Sequence, residues 1–178
     1  MIALLIGSAL ALVLSLIGTP LFIRLLVKKG YGQFIRDDGP TAHHTKRGTP
    51  TMGGAVIVGS VMAAYFATHL VLSMADSSHP GPTVPGGVLL LLTAGMGLVG
   101  FLDDFIKTSK QRSLGLRART KIILQGAVGV LFAVLALNFP NALGRTPASM
   151  NISLVRDIPW LDLAFGGTVL GTILFIIW

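Results

Sequence analysis

The residues best suited to chemistry lie where an apolar run ends, in the stretch GFLDDFIK, residues 100–107. If a helix continues through this stretch, Asp103 and Lys107 share one face at i and i+4, and Asp104 lies about 100° around the helix axis. A helix-end ion pair accounts for one aspartate and one lysine. It does not account for a second carboxylate at a helix C-terminus, where the helix dipole disfavours negative charge. We therefore interpret the aspartate pair as a candidate catalytic site.

Two carboxylates beside several cations at a membrane edge are typical of phosphoryl transfer. Mg²⁺ prefers hard oxygen ligands, usually one or two carboxylates together with substrate phosphate, and lysines neutralise charge on the transferred group. A carboxylate at this depth is costly, so it is a functional candidate by default. The pattern favours one substrate from the cytoplasm and one from the bilayer.

A second candidate is the run Gly-Thr-Pro-Thr-Met-Gly-Gly, residues 48–54, which follows Lys46 and Arg47. Hydroxyls and free backbone N–H groups just before a helix, with cations beside them, suit an anion such as phosphate. The alternative is that Thr51 is only the N-cap of the next helix and that the cations are ordinary cytoplasmic charge. The residue types by themselves leave both interpretations open.

The elements that position these residues are apolar stretches of helical length. Of the 178 residues, 52% are hydrophobic and 12% are charged, which is typical of a membrane protein. Each stretch comes close to the ~20 residues that cross a bilayer as a helix, and none alternates like a strand. We predict an all-α polytopic fold, one membrane domain over residues 1–178. Its five spanning helices cover residues 2–23, 52–72, 86–102, 122–139 and 163–178, and we expect the chain to end within the fifth.

The basic residues predict the orientation of these helices. The formal charge is +7, but twelve of the fourteen basic residues lie in residues 24–51 and 103–121. Cytoplasmic loops carry such an excess, so we predict cytoplasmic loops at about residues 28–51 and 103–121, with the N-terminus outside. This placement explains the charge without nucleic acid as a partner.

The run from Gly95 to Gly100 matches G-x-G-x-x-G, the dinucleotide fingerprint. That motif requires a preceding strand, whereas this run lies inside an apolar stretch. We interpret it as a smooth helix face that lets neighbouring helices approach closely. The chain has no cysteine, which excludes a disulfide framework and a cysteine-based zinc site.

Three blocks of sequence resemble one family: RDDGPTAHHTKRGTPTMGG (residues 36–54), GFLDDFIK (100–107) and GLRARTKIILQ (115–125). They resemble the phospho-N-acetylmuramoyl-pentapeptide transferases, the MraY family, within the superfamily of polyprenyl-phosphate sugar-1-phosphate transferases. Paired aspartates occur across the superfamily, whereas the run at residues 48–54 is specific to this family. The resemblance covers the whole chain and roughly the amino-terminal half of the family's pattern.

The resemblance implies transfer of phospho-MurNAc-pentapeptide from its UDP carrier to undecaprenyl phosphate, with Mg²⁺, forming lipid I and UMP. The implied partners are UDP-MurNAc-pentapeptide, undecaprenyl phosphate and the bilayer of the bacterial plasma membrane. The resemblance is also compatible with a homodimer. Asp103 and Asp104 match the catalytic pair and are assigned as Mg²⁺ ligands, with Asp103 deprotonating or positioning the lipid phosphate. The implied substrate-binding residues are Lys46, Thr51, Lys107 and Lys121.

The family's later motifs, including a third aspartate and a histidine-rich loop, lie beyond Trp178. We therefore expect the 178-residue chain to be inactive alone. Two alternatives stay open at this point. One is a related transferase that uses another UDP-sugar, and the other is a membrane transporter or lipid-binding protein, because intramembrane carboxylates also mark transport pathways.

Overall fold

The computed structural model describes residues 1–32, 51–75, 81–111, 114–141, 143–148, 151–153 and 157–162. In these ranges the chain forms four long helices: α1 (Ile2–Lys28), α2 (Gly53–Ala75), α3 (Val84–Ser109) and α4 (Ala118–Asn138). All four are long and apolar enough to cross a membrane. The all-α class and the first four predicted helices are confirmed. The predicted fifth helix, residues 163–178, lies outside the described residues.

The helices expose most of their apolar side chains. Leu4, Leu16 and Ile122 are 72%, 65% and 68% exposed. In water such surfaces would drive aggregation, whereas lipid tails are as apolar as leucine and solvate them without cost. The chain is therefore a membrane protein.

The chain forms two compact units, of which the first comprises Met1–Gly81 and Met96–Lys121. Small residues let its helices approach closely. A Cβ atom added at Gly18 of α1 would lie 2.9 Å from Cγ1 of Val56 in α2, and one added at Gly97 of α3 would lie 3.1 Å from Cγ2 of Val58. Ala64 of α2 is almost fully buried. Close packing of small residues is what holds helices together in lipid.

The second unit comprises Pro82–Gly95 and Ile122–Trp178. A Cβ atom at Gly95 would lie 2.7 Å from Cγ1 of Val128 in α4. Residues 95–100 are helical throughout, and both Gly95 and Gly97 contact a valine of a neighbouring helix, as the smooth-face interpretation predicts.

A short hairpin in the second unit was not predicted from the sequence. Strands β1 (Asn151–Ser153) and β2 (Asp157–Asp162) pair antiparallel, with Asn151 opposite Asp162 and Ser153 opposite Asp157. Pro159 lies in β2, where it is tolerated because each strand of a two-stranded sheet has a free edge. The hairpin departs locally from the all-helical expectation, and its strands are too short to span a membrane.

The end of α1 brings the chain towards α3. Gly30 has φ +70°, its N–H donates to the Val27 carbonyl at 3.0 Å, and the Tyr31 N–H donates to the Leu26 carbonyl at 2.9 Å. These two bonds form a Schellman motif, which favours glycine because of its left-handed backbone. The turn places the Tyr31 ring edge-on to Phe105 of α3, with ring centroids 6.0 Å apart.

Candidate active site

The helix α3 continues past Leu102 to Ser109, so the aspartate pair lies on regular helix. Asp103 is 6% exposed. The Lys107 ammonium lies 2.7 Å from Oδ2 of Asp103, so the two residues share one helix face, as their i, i+4 spacing predicts. The Lys121 ammonium, from the first turn of α4, donates to the same oxygen at 3.1 Å. The Leu116 N–H donates to Oδ1 at 2.8 Å.

These contacts compensate the burial of a charged group. A buried carboxylate costs several kcal/mol unless it is paired and hydrogen-bonded. Here both oxygens of Asp103 accept, one from a backbone N–H and the other from two ammonium groups. The two lysine side chains are 38% and 39% exposed, so their remaining N–H bonds can reach a ligand. The Asp103 carboxylate is therefore held in one orientation, and its Oδ2 binds the ammonium groups of both Lys107 and Lys121.

Asp104 has a different environment, although it is the next residue. Its side chain is 36% exposed, and its Oδ1 lies 3.4 Å from the Lys107 ammonium. Its backbone carbonyl accepts a hydrogen bond from the Thr108 hydroxyl at 2.8 Å. The Asp104 carboxylate is therefore the more open of the two towards a ligand.

Thr51 joins this cluster through Thr108, which was not predicted from the sequence as a site residue. Its hydroxyl lies 3.4 Å from the hydroxyl of Thr108, which is buried. Because the Thr108 hydrogen already goes to the Asp104 carbonyl, Thr51 is the natural donor in this contact. Thr51 lies two residues before the first residue of α2, so the position directly before the helix belongs to Met52.

The backbone next to Thr51 is unusual. Met52 has φ +76°, in the left-handed region that favours glycine, and its side chain is buried. Such a conformation costs on the order of 1–3 kcal/mol in a non-glycine residue and persists only where the surroundings enforce it. The strain lies directly beside a candidate substrate-binding residue.

The structure thus brings five of the six predicted site residues together within the first unit, and Lys46 lies outside the described residues. The five are Thr51, Asp103, Asp104, Lys107 and Lys121. The Thr108 hydroxyl and the Leu116 N–H were missed. Nothing in the sequence marks a backbone donor thirteen residues from its acceptor, because the contact depends on how the chain returns after α3.

The donor set fits Mg²⁺ in part. Among the described residues no group of three or more histidine or acidic side chains could hold a metal ion. Mg²⁺ needs fewer protein ligands than that, because substrate phosphates and water complete its octahedron. The half-exposed Asp104 carboxylate fits this role, whereas the oxygens of Asp103 are already engaged by two lysines and an N–H.

Comparison with known proteins finds similarity to one group of transferases. Residues 46–58 match signature 1 of the phospho-N-acetylmuramoyl-pentapeptide-transferases. Proteins of that name from Arthrobacter sp. (strain FB24), Pseudarthrobacter chlorophenolicus and Micrococcus luteus are 71%, 69% and 66% identical to the chain over 178 residues. The chain is similar to members of this family along its whole length.

The match covers all of this chain and 48% of each of those three relatives, so the chain spans about half the length of the phospho-N-acetylmuramoyl-pentapeptide-transferases that it matches. No solved structure matches it. The transferase signature includes Thr51 but ends before α3. The contact between Thr51 and Thr108 therefore links the family signature to the aspartate pair.

Proposed function

We propose that this chain supplies the amino-terminal part of an enzyme that transfers phospho-MurNAc-pentapeptide from UDP to undecaprenyl phosphate. The products are lipid I, in peptidoglycan synthesis, and UMP. The observation that carries the proposal is the Asp103 cluster: a buried carboxylate that gathers two lysines beside an open carboxylate, at the end of an apolar helix. The names of the relatives supply the substrate class.

In the proposed reaction an oxygen of the lipid phosphate attacks the phosphorus that bears the sugar. The bond from that phosphorus to the bridging oxygen breaks, and UMP leaves with the electron pair. Two anions must approach each other, so positioning and charge neutralisation are most of what the protein contributes. Lys107 and Lys121, whose side chains are partly exposed, are proposed to contact the phosphates. Lys46 and Thr51 are proposed to bind the UDP substrate.

Asp103 and Asp104 have different proposed roles. Both oxygens of Asp103 are engaged, which favours a role in holding Lys107 and Lys121 and in positioning the lipid phosphate over proton abstraction. Asp104 is the better candidate Mg²⁺ ligand because its carboxylate is more open. When bound, Mg²⁺ would neutralise charge on the phosphate oxygens.

The proposed location is the bacterial plasma membrane, with the N-terminus outside and the site at the cytoplasmic face. The excess of basic residues in residues 24–51 and 103–121 supports it, as does the meeting of Thr51, Asp103 and Lys121 in one cluster. Cysteines introduced at Ser78 and Ser113 test this orientation in intact cells. Labelling from outside at position 113, with protection at position 78, would overturn it.

The enzymatic proposal is tested with a hybrid transferase, in which residues 1–178 replace the matching segment of the Arthrobacter relative. The purified hybrid should release UMP from UDP-MurNAc-pentapeptide only when undecaprenyl phosphate and Mg²⁺ are both present. The native relative is the positive control, and the 178-residue chain alone should release none. The mass of the hybrid in detergent tests whether it forms the homodimer with which the resemblance is compatible.

Two results would overturn the proposal. Turnover with another UDP-sugar and not with UDP-MurNAc-pentapeptide would indicate a different member of the superfamily. Binding of undecaprenyl phosphate without turnover of any UDP-sugar, while the native relative is active, would indicate a transport or lipid-binding protein.

A further inference from the structure

The turn before α4 passes unusually close to the Asp103 side chain. A Cβ atom added at Gly115 would lie 2.5 Å from Oδ1 and 2.9 Å from Cγ of Asp103, and closer still to its backbone oxygen. Real Cβ atoms essentially never approach other atoms within 3.0 Å. The φ of Gly115 lies outside the left-handed region, so this position requires glycine for space and not for backbone conformation.

The close approach has a polar consequence. The next residue, Leu116, donates its N–H to the same Oδ1 at 2.8 Å. Without a side chain at position 115, the backbone can reach the carboxylate, much as glycines let a backbone approach a ligand elsewhere. The glycine and the N–H donor are therefore two parts of one contact.

We propose that Gly115 and Leu116 form a positioning element that sets the orientation of the Asp103 carboxylate for catalysis. The inference rests on the proposed function and deepens it. The backbone N–H holds Oδ1, which leaves Oδ2 to receive Lys107 at 2.7 Å and Lys121 at 3.1 Å. Lysine side chains are long and these two are partly exposed, so they cannot fix the carboxylate by themselves. The Leu116 N–H fixes the orientation of the Asp103 carboxylate, and the carboxylate in turn fixes the positions of the two ammonium groups.

A side chain at position 115 should therefore act through Asp103. To accommodate a methyl group, the turn must move away from Asp103, because the added atom would also overlap the Asp103 backbone oxygen. The Leu116 N–H then moves away from Oδ1, and the carboxylate loses the donor that orients it towards both lysines. Misplacement of about 1 Å in a catalytic constellation can cost on the order of 10²-fold in rate. Binding of the UDP substrate should suffer less, because Thr51 and Lys46 lie on another segment of the chain.

The test is Gly115→Ala in the hybrid transferase, with UMP release as the assay. We expect kcat to fall about 10²-fold, with a change in KM for UDP-MurNAc-pentapeptide below about threefold. The matched control is Gly100→Ala, on the same helix as Asp103, because the structure describes no atom within 4 Å of a Cβ there. That control should keep its kcat within about twofold of the unmodified hybrid.

A second measurement separates positioning from general damage. Gly115→Ala is added to the Asp103→Asn hybrid, and the fold-losses in the two backgrounds are compared. If Gly115 acts through the carboxylate, its substitution costs far less once the carboxylate is gone. If Gly115→Ala accumulates too poorly to assay, Leu116→Pro is used instead, because it removes the Leu116 N–H donor and leaves Gly115 in place. Its fold-loss in kcat is then compared between the unmodified and the Asp103→Asn hybrids.

The outcomes distinguish this inference from the proposed function. An unmodified hybrid that releases no UMP would overturn the proposed function. An active hybrid in which Gly115→Ala keeps near-normal kcat, or loses the same factor in both backgrounds, would overturn the positioning role alone.

Discussion

Two regions of the first unit depend on glycine for different reasons. At the polar end of α3, Gly115 makes room for the charged side chain of Asp103. At the contact between α1 and α2, Gly18 makes room for a methyl group of Val56. The polar end is organised by three donors at 2.7–3.1 Å around one carboxylate. The α1–α2 contact depends on close packing of apolar atoms, such as Gly18 against Val56.

This difference predicts different consequences of mutation. A charge cluster at a membrane edge is a poor source of stability, because desolvation offsets most of the attraction between its members. Close packing of small residues is what stabilises helix pairs in lipid. Substitutions at the polar end should therefore reduce turnover, whereas substitutions at the α1–α2 contact should reduce stability.

The largest expected effect is that of Asp103→Asn in the hybrid transferase. Asparagine is nearly isosteric but removes the charge that holds Lys107 and Lys121. We expect kcat to fall by on the order of 10²-fold or more, with a much smaller change in binding of the UDP substrate. Turnover and thermal stability are measured on one preparation. Near-normal turnover in a less stable protein would show that the Asp103 cluster is only a structural ion pair. The proposed difference between the polar end of α3 and the α1–α2 contact would then be wrong.

Next in size is Gly18→Ala, which adds a methyl group 2.9 Å from Cγ1 of Val56. Overpacking of this kind typically costs about 2 kcal/mol of stability, and turnover per folded molecule should be unchanged. The matched control is Gly59→Ala in α2, where a Cβ would meet no described atom within 4 Å. There alanine should stabilise the helix by roughly 0.5–1 kcal/mol. Equal unfolding midpoints for the two variants would contradict the packing argument.

A smaller effect is expected from Lys121→Gln, which keeps a donor near Asp103 but removes one of its two cations. Lys107 stays in place at 2.7 Å, so the loss should be partial. We expect kcat to fall about tenfold, the scale of one charge-assisted hydrogen bond. The control is Lys110→Gln. Lys110 is exposed and, like Lys121, lies in residues 103–121, and this variant should keep full turnover. A similar loss in both variants would indicate a general charge effect.

The smallest effect concerns Thr68, which is buried and whose hydroxyl has no hydrogen-bond partner in the part of the chain that the structure describes. A Cβ atom at Gly7 of α1 would lie 3.5 Å from this oxygen. Thr68→Val keeps the shape and removes the unsatisfied group, so stability should be unchanged or rise by up to about 1 kcal/mol. A clear loss of thermal stability in detergent would show that the hydroxyl contributes a hydrogen bond to the helix pair.

Local sequence determined the helices and the pairing within them. Apolar runs of about 20 residues predicted α1 to α4 because a backbone in lipid must satisfy its own hydrogen bonds. The spacing of Asp103 and Lys107 predicted that they share one helix face, because residues at i and i+4 are neighbours on any helix. The hairpin of β1 and β2 was not predicted, since its strands are short and their pairing is irregular.

The amino-acid sequence by itself therefore determined which residues are chemically capable: two aspartates, their lysines and a threonine-containing run at the ends of apolar helices. Only the tertiary structure decided which of these residues contact one another and which are buried. Lys121 is eighteen residues from Asp103, the Leu116 N–H is thirteen residues away, and Thr51 is fifty-seven residues from Thr108. Contacts at such separations depend on how helices pack and where the chain returns, and no local periodicity encodes them. Burial made the adjacent carboxylates different, because the packing around α3 encloses Asp103 and leaves Asp104 open.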